Sequence, residues 1–122
     1  AISIASHNTG AHVKDYTAAP VYFSEGDNGA HEWLVEFDKA PISVEQFTIE
    51  LDKALQSINS DYEAKRYKDI ALRMPVLQAA PPNTFESWLS SKGKLGGQHK
   101  VPRLSNERTI LEEIKQFMAS AS

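Results

Sequence analysis

Apolar and polar residues alternate most clearly from His31 to Phe37, where Trp33, Val35 and Phe37 are separated by residues that include Glu32 and Glu36. Period-two alternation predicts a strand with one face buried and the other wet. Upstream, Val13–Phe23 carries Tyr16, Val21, Tyr22 and Phe23, types that suit an extended chain, with Pro20 interrupting the ladder. Gly26-Asp27-Asn28-Gly29 lies between them and reads as a turn, because Gly and Asn tolerate positive φ. A β-hairpin is the central expectation.

Helical spacing takes over after Pro41. Val44, Phe47, Leu51, Ala54, Leu55 and Ile58 fall on one stripe, and Ser43 with Gln46 has the spacing of a capping box. Ala1–Ala11 reads as a short helix ended by Gly10. The polar run NSDYEAKRYKD is either a second short helix or a surface excursion. Ala71–Ala80 reads as a strand that Pro75 confines to an edge or a bulge. Asn83 is placed to cap a short helix with Phe85, Trp88 and Leu89 facing inward, and Asn106 a last one with Ile110, Ile114, Phe117 and Met118 on one face. The expected fold is α+β: a small mixed or antiparallel sheet of three to four strands packed by three to four helices, in one domain spanning residues 1–122.

Composition adds limits. Hydrophobic residues make up 41% and charged residues 24% of the 122, as in an ordinary globular domain. No cysteine is present, which removes disulfides and thiolate metal sites and fits a cytoplasmic setting. No apolar run approaches the roughly 20 residues that span a bilayer, so no membrane partner is expected. The N-terminus lacks the features of a signal peptide. It also starts at Ala1 without methionine, which fits processing, a tag or excision from something longer.

Charge is unevenly placed. Lys92, Lys94, Lys100 and Arg103 fall in one stretch without an acid, so a chain of net charge −3 divides into +4 there and −7 elsewhere. A positive loop on a negative body suits a small anion better than a broad polyanion. The plainer reading is a solvated loop with chance clustering.

Other chemistry is thin. No G-x-S-x-G elbow occurs, and the four histidines, His7, His12, His31 and His99, show no zinc-ligand spacing, so no metal site is expected. His31 reads as a surface or hairpin-edge residue, Trp33 and Trp88 as core, and Glu112 and Glu113 as solvated. In GKLGGQHKVPR, Gly93, Gly96 and Gly97 let backbone N–H groups approach an anion, and the lysines supply point charges. It is not a Walker loop. Gly93-Lys94-Leu95-Gly96 fits the G-x-x-G of KH domains, but Pro102 opposes a helix directly after it and the acidic remainder repels nucleic acid.

The segments DYTAAPVYF, HEWLVEF, NSDYEAKR and TFESWLSSKGKLGGQHKVPRLSN, in that order, resemble the C-terminal part of the auxin-responsive (Gretchen Hagen) acyl-acid amido synthetases, in a bacterial-type version. The likeness extends from about residue 1 to 115, and GKLGGQHKVPRLSN is its most specific part. It implies an adenylate-forming ligase that uses ATP and Mg²⁺ to activate a carboxylic acid and passes the acyl group to an amine or amino acid. It further implies that this chain is the mobile C-terminal domain. Its partner is an N-terminal adenylation domain of the same polypeptide, and the isolated chain binds no cofactor and is inactive. Lys100 matches the lysine that the family's small domain presents to the nucleotide. Lys94 is a second candidate, Gly96, Gly97, Gln98 and His99 shape the loop, and Arg103 pairs with acids of its own domain. The alternative is a standalone module that binds an anion or single-stranded nucleic acid.

Overall fold

The computed structural model describes residues 1–22, 29–67, 72–91 and 108–121. Helix α1 (Ile2–Thr9) leads into strand β1 (His12–Tyr22), which pairs with β2 (Gly29–Lys39). Helices α2 (Val44–Ile58) and α3 (Ser60–Arg66) carry the chain to β3 (Val76–Ala80), and α4 (Thr84–Ser91) and α5 (Thr109–Ala121) complete it. This is an α+β fold whose mixed sheet has the order β1-β2-β3.

Local signals explain the ends of several elements. Gly10 stops α1 at φ 68°, a left-handed turn that costs glycine little. The Ser43 hydroxyl accepts the Gln46 amide at 3.1 Å and opens α2. The Asn59 side chain accepts the Tyr62 amide at 3.1 Å, which makes the polar run 60–66 a helix rather than an excursion. The expected turn at Gly26–Gly29 falls mostly outside the described residues, as does Asn106.

The hairpin is present. β1 and β2 are antiparallel, with Tyr16 opposite Val35 and Ala18 opposite Trp33. Pro20 sits within β1 without breaking it, as an edge strand allows. The pairing slips around Lys14, an irregularity of the bulge type that changes where a side chain aims. β3 is shorter than the sequence suggests and starts after Pro75; it runs parallel to β2, with Glu32 opposite Val76 and Glu36 opposite Ala80.

One expectation about β2 is corrected. As the central strand it is covered on both faces, not half-buried. On one side Trp33 and Val35 pack with Ala5, Ala18, Phe47 and Leu51 beneath α1 and α2. On the other, Leu34 packs with Ala19, Phe85, Trp88, Leu111 and Ile114 beneath α4 and α5. Both tryptophans are core, as expected. The Trp33 indole N–H is buried without an acceptor among the described residues, while its ring packs 5.7 Å from that of Tyr16. Glu32 and Glu36 lie among the buried residues of this second face, a position that carboxylates hold only with partners.

Candidate functional site

The residues that the sequence singles out, Lys94, Gly96, Gly97, Gln98, His99 and Lys100, lie outside the described residues, with Arg103. The structure describes what holds the two ends of their segment: α4, which ends at Ser91, and Arg108, which precedes α5. Both helices rest on the Leu34 face of the sheet, and each is tied at its N-terminal end to a carboxylate of β2.

Glu36 holds α4. Its Oε2 accepts the Asn83 backbone amide at 2.9 Å, and its Oε1 accepts that of Phe85 at 3.1 Å. The first amides of a helix lack partners within it, and a carboxylate placed there satisfies them and complements the helix dipole. Asn83 is therefore not the side-chain cap expected of it. It adopts φ 66°, a turn that asparagine tolerates better than most residues, and its Oδ1 accepts a hydrogen bond from Lys14 at 3.1 Å. The Lys14 ammonium also lies 3.6 Å from Glu36 and 3.7 Å from Glu86.

Glu32 holds α5. Its Oε1 accepts from Arg108 Nη2 at 2.7 Å and its Oε2 from Lys115 at 2.8 Å. Arg108 also donates to the Pro20 carbonyl at 2.9 Å and to Glu112, which is thus a partner and not merely a solvated acid. Burial alone would raise the Glu32 pKa, but the hydrogen bonds and charges of Lys115 and Arg108 outweigh it and hold the group below its usual value. Burial likewise opposes the charge of Arg108, and Glu32 and Glu112 reverse that effect.

A third buried cluster lies on the other side of the sheet. Asp52 of α2 accepts a fork from Arg66, Nε at 2.7 Å and Nη2 at 2.9 Å, and the Tyr62 hydroxyl at 2.6 Å. Arg66 Nη1 continues to the Leu72 carbonyl at 3.2 Å. His31 is not at a hairpin edge: it sits on the central strand with its ring stacked on Tyr62 at 6.2 Å. Burial, followed by the nearby Lys65 charge, lowers its pKa.

An open groove of about 580 Å³ runs along α4, lined by Asn83, Glu86, Ser87, Ser90, Ser91 and Phe117. It extends to Ser91, the last described residue before position 92. Among the described residues no group of three or more His, Asp or Glu side chains is placed to hold a metal ion, and no helix is long and apolar enough to cross a membrane.

A family model described as the GH3 family C-terminal domain matches residues 1–109, a span that includes GKLGGQHKVPR. The chain belongs to the GH3 C-terminal domain family. This is the family that the ordered segments of the sequence resemble. Two solved structures share the GH3 domain's fold. One is described as AtGH3.15 acyl acid amido synthetase in complex with 2,4-DB, with a TM-score of 0.70 and 14% identity over 94% of this chain and 22% of that one. The other, GH3.15 acyl acid amido synthetase, has a TM-score of 0.68 and 14% identity over 94% of this chain and 21% of that one. The GH3 domain thus spans about a fifth of the length of these solved chains. No curated protein matches.

Sequence reasoning missed Glu32, Glu36, Arg108, Lys115 and Lys14 as the groups that tie α4 and α5 to the sheet. One signal was present: Glu32, Leu34 and Glu36 share one face of a strand, and an apolar residue framed by two acids is odd for a wet face.

Proposed function

We propose that this chain is the C-terminal domain of an ATP-dependent acyl-acid amido synthetase. The reading rests chiefly on the family match across residues 1–109, and the shared fold agrees with it. In this reading a larger N-terminal domain of the same polypeptide supplies most of the nucleotide and acid sites. A carboxylate oxygen of the substrate attacks the α-phosphorus of ATP and pyrophosphate leaves. The amine then attacks the acyl carbonyl and AMP departs.

The part of this chain is electrostatic. Negative charge redistributes over the α-phosphate and carboxylate oxygens during adenylation, and a positioned cation lowers that barrier. We assign the cation to Lys100, from its place in GGQHK and the family likeness. Gly96 and Gly97 let the backbone come near the phosphate, Gln98 and His99 set the approach of Lys100, and Lys94 is the second cation. Among the described residues no group of three or more His, Asp or Glu side chains is placed to hold Mg²⁺. A cytoplasmic, bacterial setting fits the same reading. No observation favours the standalone binding module.

The test is acid-dependent ATP–pyrophosphate exchange by the full-length protein. Lys100→Ala should lower the rate about 10²- to 10³-fold while the protein still folds. An unchanged rate would move the role to Lys94.

A further inference from the structure

We propose that the outer edge of β3 is a docking edge, to which an extended segment of the N-terminal part of the same polypeptide adds as a further strand. That partner follows from the ligase reading above, while the observations that call for one all concern described residues.

Among the described residues the sheet has the order β1-β2-β3, so β1 and β3 are its two edges. An edge strand presents unpaired N–H and C=O groups, and one that stays in water is blunted by charge, proline, a bulge or a covering group. β1 has all four. Its pairing slips around Lys14, Pro20 removes a donor, and Arg108 donates to the Pro20 carbonyl at 2.9 Å. β3 reads Val-Leu-Gln-Ala-Ala, without charge or proline, and pairs with β2 in unbroken register from Val76 to Ala80. Its one protection is its shortness, five residues between Pro75 and Pro81.

Its faces are open as well. Val76 lies opposite Glu32 and Gln78 opposite Leu34, which places both on the side that α4 and α5 cover. Yet Glu32 and Leu34 are buried, whereas Val76 is 43% exposed and Gln78 is exposed. On the opposite face Ala79 is exposed too. The cover that the helices give β2 therefore thins at β3.

The size of the edge decides between occupants. Its five residues extend about 17 Å. A stable contact between separate molecules buries about 1,200–2,000 Å², more than one added strand of that length supplies. Two copies of this chain also carry like net charge, −3 each. Segments of one polypeptide instead meet at an effective concentration of about 1 mM, where a small contact suffices. The reading supplies such segments, since these residues span 22% and 21% of the two solved chains that share the fold. Main-chain bonds give strand addition its affinity and flanking side chains its choice of partner, and Val76 and Ala79 favour an uncharged, apolar segment.

Hydrogen exchange of the full-length protein at about 1 µM tests this, because the β3 amides that point away from β2 exchange fast unless a strand covers them. Gln78→Lys and Ala79→Lys place a charge at exposed positions on either face of β3. Each should speed exchange at residues 76–80 at least about 10-fold and leave residues 29–39 unchanged. The 122-residue chain should show the same fast exchange at 76–80, with 29–39 still protected. Three results would overturn the proposal. Unchanged exchange in both lysine variants would show that no strand packs on β3. Equal protection in the 122-residue and full-length proteins would place the cover within these residues. Protection that grows from about 1 to about 100 µM protein would assign the edge to a second copy. Failure of the ligase reading shows elsewhere: wild-type protein would then lack acid-dependent ATP–pyrophosphate exchange, whatever β3 does.

Discussion

Glu36 shows how a single residue can carry both a sequence signal and its misreading. Between Val35 and Phe37 it looks like the wet position of an amphipathic strand. In the fold it is among the largest fully buried side chains, and each oxygen takes one backbone amide from the start of α4. Replacing it with alanine leaves two amides at a helix N-terminus without an acceptor and opens a void where the side chain stood. We expect Glu36→Ala to cost about 2–4 kcal/mol. Glu36→Gln, which retains one acceptor oxygen, should cost about half as much. Urea unfolding checks this as a lower midpoint at constant slope. A midpoint within error of wild type for Glu36→Ala would show that water or another group replaces the carboxylate.

At the scale of elements, local signals were legible and long-range pairing was not. Gly10, Ser43 and the stripe of α2 act through neighbours in the chain, and they appear where the sequence places them. The parallel pairing of β2 with β3 depends on where α2 and α3 deliver the chain, which no local period encodes. Glu32 and Arg108 are 76 residues apart, and His31 lies on another element from its partner Tyr62. His31 makes the point measurable, because it packs β2 against α3. Its pKa is lowered in the fold, so the folded state favours the neutral ring. The unfolded chain binds the proton more readily, and stability from this contact is full above 6.5 and lost as pH falls through the lowered folded value. Glu32 and Asp52, held below 4.5 and 3.8, contribute stability that is lost only in a more acidic range. Denaturation midpoints measured from about pH 7.5 to pH 5 should therefore fall for wild type and change less for His31→Phe, which keeps a ring against Tyr62. Parallel slopes for the two proteins would remove His31 from the account.

For the whole molecule, charge distribution separates a half-site from a complete one. The basic stretch was legible from composition because charge needs no fold to be counted, whereas the carboxylates that anchor α4 and α5 required the topology. A complete anion site surrounds its ligand with donors on several sides, and little of the affinity survives when most of them belong to another domain. Here +4 in residues 92–103 is set on a body of −7, which repels a polyphosphate outside that stretch. The 122-residue chain should therefore bind ATP with a Kd of about 1 mM or weaker, the range of nonspecific ion pairing. Titration calorimetry at two salt concentrations measures it. A standalone module would instead show a Kd near 1 µM that weakens steeply with salt, since its affinity would rest on exposed cations. Weak binding by the chain, together with exchange by the full-length protein that depends on Lys100, requires a site assembled from both domains.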